Sequence, residues 1–218
     1  EQLTSTIPST ANSNGAAWAF VNRLAVYPVN SSLIYAATNM GLQVSNDGGL
    51  SWDNPICLNP PGCTLFNNGE FQDVQVGTNG TVLASNNGSL YWLESGAADF
   101  ENITSNLSGL AGARRIEIAF APSDPNYIYA CATSHNLHNL YQSTDNGVSW
   151  DIIVPGGGTA VFGENQQGDY DLAVGVFPDD PEHVLVGGVE LFVCSGTNNV
   201  WDMFALTGWQ QTGLYDIG

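Results

Sequence analysis

Ser143-Thr144-Asp145-Asn146-Gly147-Val148-Ser149-Trp150 has a twin in the same chain, Ser45-Asn46-Asp47-Gly48-Gly49-Leu50-Ser51-Trp52. Both read Ser-x-Asp-x-Gly-x-Ser-Trp, five fixed identities in eight positions. Each copy lies between two short apolar runs, which is the pattern of a hairpin turn. Residue type assigns the roles. The carboxylate of Asp47 or Asp145 accepts backbone N–H bonds within the turn, and Gly49 or Gly147 supplies a positive φ. Trp52 or Trp150 then buries a large ring beside the next strand. Ser45, Ser51, Ser143 and Ser149 complete the motif, which reads as structural.

Outward from these turns the chain divides into similar units of four short strands. The first unit (21–56) has Arg23 to Tyr27, a Pro28-Val29-Asn30 turn, Leu33 to Thr38, Leu42 to Ser45, and Trp52 onward. The third (113–155) repeats this order with a Pro122-Ser123-Asp124-Pro125 turn, and the fourth (169–206) with Pro178-Asp179-Asp180-Pro181. The second (70–105) is degenerate: Ser95 and Phe100 stand near the places of the motif's Asp and Trp. In the fourth, Gly196 replaces the Asp. First strands recur at roughly 40 to 60 residues, the interval of four-stranded propeller blades. Residues 1–20 read as a Ser/Thr/Asn-rich lead-in, and 208–218 as the first strand of another unit. The expected fold is therefore all-β, four propeller blades and the start of a fifth, with the rest of the same polypeptide completing the ring.

The repeated turn resembles the Asp-box, or bacterial neuraminidase repeat, of sialidase-like β-propellers. That resemblance implies a structural staple on the rim, away from any active site. The run Gly168 to Val174, with Pro178 to Pro181 and Val184 to Val189, is similar to propellers of secreted Bacteroidetes proteins exported by the type IX system. More distant likenesses are to sortilin-like and xyloglucanase-type propellers. Together they imply a secreted or cell-surface protein that binds glycans or extracellular protein partners. A glycoside hydrolase with its carboxylates beyond this stretch, or a secretion cargo or adhesin, is the alternative.

Charge narrows the partners. There are 21 Asp and Glu against three Arg and no Lys, for a net charge of −18. Such a surface repels phosphate backbones and anionic headgroups, so neither nucleic acid nor membrane insertion is expected. No apolar run reaches the roughly 18 residues of a membrane helix. Cys57 and Cys63 bracket a short Pro-Pro-Gly loop, read as a disulfide in an oxidising compartment. Cys131 and Cys194 lie within apolar runs and read as buried thiols.

Candidate chemistry is sparse. A sialidase-like site needs three converging arginines, yet Arg114 and Arg115 are adjacent and point to opposite faces of a strand. With Arg23 they read as ordinary strand-end charges. The stretch Tyr35-Ala36-Ala37-Thr38-Asn39-Met40-Gly41 resembles the xyloglucanase-type first blade, with Asn39 where that family places its catalytic Asp. An amide cannot take the proton. His135 and His138 read as a solvated loop rather than a ligand pair. Asp179, Asp180 and Glu182 read as an acidic turn, calcium being a weak alternative and no cofactor being expected. Asp169 and Asp171 stand at a strand entrance with nothing to pair with. Trp18 and Trp209 are candidate sugar-stacking rings, with core burial as the rival reading. On this reading no catalytic residue is assigned.

Overall fold

A computed structural model gives the fold and describes residues 18–54, 57–58, 69–157, 161–162, 167–197 and 200–206, with 57–58, 197 and 200 by backbone alone. It is all-β. The first blade contains β1 (Val21–Val26), β2 (Ile34–Thr38) and β3 (Gly41–Ser45). The second contains β5 (Phe71–Val76), β6 (Val82–Asn86), β7 (Ser89–Leu93) and β8 (Phe100–Asn102). The third runs β9 (Arg115–Phe120), β10 (Ile128–Ser134), β11 (Asn136–Ser143), β12 (Asp151–Pro155). The fourth runs β13 (Ala173–Phe177), β14 (Asp180–Gly187), β15 (Leu191–Thr197), β16 (Val200–Ala205). Within each blade successive strands pair antiparallel. The first strand of each blade packs against that of the next: β1 on β5, β5 on β9, β9 on β13. This is propeller geometry, with β1, β5, β9 and β13 innermost.

The side-chain period of two explains why these strands are apolar almost throughout. In β10, Ile128, Ala130 and Ala132 face the second blade and join Leu83, Leu90 and Ile116. The alternate residues Tyr129 and Cys131 face the fourth blade and join Val184, Val186 and Cys194. A third layer unites Tyr35, Ala37 and Leu42 of the first blade with Phe71, Val74 and Phe100 of the second. Each fully buried Leu or Ile contributes about 1.5–3 kcal/mol. The two outward faces of the fan carry exposed apolar side chains: Leu24 and Val26 on β1, Phe177 and Phe204 on the fourth blade.

One strand departs from the repeat. From Trp52 onward a fourth strand is expected, but among the described residues only the bridge between Val44 and Asp53 forms. The next strand, β4 (Cys57–Leu58), pairs parallel with β8 of the second blade instead. Cys63 and the Cys57 side chain fall outside the described residues, and with them the expected disulfide. Trp209 and the strand expected at 208–218 fall outside as well.

Candidate functional site

The two ends of the fan differ. One end holds the β1–β2 type turns and the repeated Ser-x-Asp motifs. There Asp47 Oδ1 accepts from the Ser45 hydroxyl (2.8 Å) and the Ser51 amide (2.9 Å), and Oδ2 from the Ser51 hydroxyl (2.6 Å). Asp145 makes the same three bonds with Ser143 and Ser149 at 2.8, 2.9 and 2.6 Å. The indoles of Trp52 and Trp150 donate to the carbonyls of Gly49 and Gly147. Gly147 has φ +92, and a Cβ there would sit 3.1 Å from the Trp92 ring of the second blade. Trp92 and Asn79 in turn donate to Asn146, so the second motif also joins two blades.

Toward this same end, β5, β9 and β13 enclose a cleft of about 270 Å³. Its walls include Val76, Ile118, Phe120, Val174 and Val176.

The opposite end gathers the strand entrances and the β2–β3 type turns, and here the arginines find partners. Val26, Val76, Phe120 and Val176 lie opposite Ile34, Val82, Ile128 and Val184. Three residues upstream, at equivalent places in the four innermost strands, stand Arg23, Asp73, Glu117 and Ala173. The register makes them a ladder across the blades. Arg23 Nε reaches Asp73 Oδ1 at 3.0 Å, and its Nη2 reaches Glu117 Oε2 at 2.8 Å. Arg115 grips Glu117 Oε1 through Nη2 at 2.6 Å and Nε at 3.1 Å. Asp73 also accepts from the amides of Val74 and Ile118 and from Gln75.

Asp73 and Glu117 are the two buried acids among the described residues. Burial, then the neighbouring Glu117, push the Asp73 pKa up, against the pull of Arg23 and the Ile118 amide. The reading of Arg23 and Arg115 as plain strand-end charges is thus corrected. Sequence reasoning missed the network because Arg23, Asp73 and Glu117 lie in three different units, and only the Arg115–Glu117 pair is local.

Asp169 is also corrected, since it does have partners. Its Oδ2 lies 2.8 Å from His135 Nδ1, and its Oδ1 accepts from the His135 amide at 3.1 Å. His135 Nε2 in turn lies 3.1 Å from Arg114 Nη1. A carboxylate only accepts and a guanidinium only donates, so Nδ1 carries the proton and Nε2 the lone pair. His135 has φ +74, a left-handed conformation rare outside Gly and Asn. Arg115 Nη1 donates to the Asp169 carbonyl, linking this corner to the inner ladder.

The other candidates are placed as follows. His138 is separated from this corner, its ring donating to the Gly109 carbonyl. Asn39 exchanges bonds with the Phe20 backbone, its Oδ1 accepting the Phe20 amide and its own amide reaching the Phe20 carbonyl. Asp180 accepts from the Glu182 amide and pairs with His183. Asp171 donates its amide to the Gln167 carbonyl. Among the described residues no three His, Cys, Asp or Glu side chains are arranged to hold a metal ion. Trp18 packs edge-on against Trp52 at 4.9 Å. Cys131 and Cys194 are free and buried. No helix among the described residues is long and apolar enough to cross a membrane.

No protein-family model and no curated protein matches the sequence. Solved structures match by fold. The GH74 xyloglucanase from Xanthomonas campestris superposes with a TM-score of 0.60 at 17% identity, over 85% of this chain and 30% of its own. YCF48 from Cyanidioschyzon merolae gives 0.55 at 12%, over 87% and 57%. The dihydro-heme d1 dehydrogenase NirN gives 0.55 at 15%, over 86% and 38%. The chain therefore spans only 30 to 57% of these proteins' lengths. A xyloglucanase and a dehydrogenase both share the likeness, so no activity follows from it. What the comparisons establish is the architecture: these sheets are blades of a β-propeller.

Proposed function

We infer that this chain is part of a secreted or cell-surface propeller that works as a binding module for a glycan or an extracellular protein partner. The observation that supports it most is the state of the inward-facing acids. Asp73 and Glu117 are both engaged by guanidinium groups. Both are fully buried, so neither carboxylate can be reached by a substrate to take its proton. Arg23 and Arg115, the guanidiniums nearest the centre, hold the chain's own carboxylates rather than a ligand's. Asn39 is tied into the backbone of Phe20. The entrance loops, by contrast, present fixed polar groups on a rigid support, which is how propellers and other rigid folds carry recognition.

In the same reading, further blades of the same polypeptide cover the exposed faces of β1 and the fourth blade, as each inner sheet covers the next. The motifs at Asp47 and Asp145 serve as staples far from the binding loops. Export through a Bacteroidetes-type route belongs to this proposal too, resting on the likeness of residues 168–189. Sedimentation with insoluble neutral polysaccharides tests the glycan arm: the chain in the pellet supports it, and a chain that stays wholly in solution overturns it.

A further inference from the structure

Arg114 differs from the other two arginines. Its side chain is 63% exposed, and it uses Nη1 alone, on His135 Nε2 and, at 3.7 Å, on Asp169 Oδ2. Among the described residues its Nε and Nη2 have no protein acceptor, so a two-donor fork faces solvent. The corner around it is held still. Asp169 grips both the backbone and the ring of His135. The Gly168 amide donates to the His135 carbonyl (2.7 Å), and the Thr133 hydroxyl donates to the Gly168 carbonyl (2.6 Å). The turn that carries Asp169 next presents Tyr170, an aromatic residue that is 69% exposed.

An exposed aromatic residue that follows the oriented carboxylate in the same turn, together with the guanidinium fork which that carboxylate faces, matches one ligand chemistry well. A pyranose has a C–H face that buries on a flat ring and a rim of hydroxyls that each donate and accept. Arg114 supplies the donors, and Asp169, with the His135 imidazole fixed beside it, supplies the acceptors. A net charge of −18 opposes an anionic sugar approaching this surface. We propose that the Tyr170, Asp169, His135 and Arg114 corner, at the junction of the third and fourth blades, is a subsite for a neutral pyranose residue of a glycan.

This rests on the binding-module reading and adds its location and ligand class. Calorimetric titration would use four neutral tetrasaccharides, built from β-linked glucose, xylose or mannose and from α-linked glucose, with trigalacturonate as the acidic comparison. The proteins are wild type, Tyr170→Ala, Arg114→Gln and, at the far end, Val29→Ser. At least one neutral sugar binds wild type, and Tyr170→Ala weakens it about tenfold or more while Arg114→Gln weakens it severalfold. Val29→Ser and added salt leave it nearly unchanged. Unfolding midpoints equal to wild type show that the variants are folded. Tighter binding of trigalacturonate, or no binding of any neutral sugar, overturns the proposal. Neutral-sugar binding untouched by both corner substitutions also overturns it, while leaving the binding-module reading in place.

Discussion

Glu117→Gln probes the inner ladder. Glu117 accepts three charge-assisted bonds, one from Arg23 at 2.8 Å and two from Arg115 at 3.1 and 2.6 Å. An amide keeps one oxygen, which satisfies Arg115, but then aims its NH2 at Arg23 Nη2, donor against donor. One bond to a charged partner is lost outright, worth about 1.5–3 kcal/mol. Breaking a fully buried pair costs about 3–5 kcal/mol, but Arg23 is 42% exposed and can turn toward water, which lowers the figure. Relief of the repulsion on Asp73 lowers it further. The net expectation is about 2 kcal/mol, or about 4–8 °C in Tm for a chain of this size. Urea and thermal unfolding measure it, with Glu101→Gln on the exposed face of β8 as the neutral control. A double-mutant cycle with Arg23→Met should return a coupling of about 1 kcal/mol or more. A loss below about 0.5 kcal/mol, the range of ordinary surface substitutions, would refute the idea that the ladder ties the blades.

Further expectations concern the motif, the thiols and pH. Trp150→Phe keeps most of the buried ring and loses only the indole bond to Gly147, costing about 1 kcal/mol. Trp150→Ala costs about 3–5 kcal/mol, and equal losses for the two would contradict the packing role. Burial pushes both free thiols up, Cys194 to about 12, so neither Cys131 nor Cys194 should react with a disulfide reagent until urea unfolds the chain. Asp47 is held down to about 2 by the Ser51 hydroxyl, then the Ser51 amide and the Ser45 hydroxyl. Its contribution is complete above its unfolded pKa of about 4 and is lost as pH falls toward 2. Asp73 has the opposite sign: its raised pKa makes its contribution shrink as pH rises from about 4 through its folded value. Unfolding midpoints across pH should show Asp47→Asn flattening the acid limb and Asp73→Asn the neutral one.

The blades were legible because their signals are local. In the first and third units a turn motif or a Pro-containing turn lies within a dozen residues of each strand, and the repeat carries them in order. The inner ladder was not, because its meaning depends on register between units. The clue was present: charges interrupt three apolar strands at Arg23, Asp73 and Glu117, always three residues before the residue that faces the next strand's start. Asp169 and His135 lie 34 residues apart in two exposed turns. Only the packing of the third blade on the fourth brings them together. The transfer of β4 to the second blade likewise depends on a tertiary edge.

The claim that these blades bind rather than cleave is tested most directly by measuring retention and product on one sample. The chain would be incubated with the neutral polysaccharide it binds best, and the supernatant assayed over time for new reducing ends. The account predicts bound protein and no reducing ends above the no-protein blank. Steady release of oligosaccharide, undiminished by Tyr170→Ala, would contradict it and place paired catalytic carboxylates in this chain.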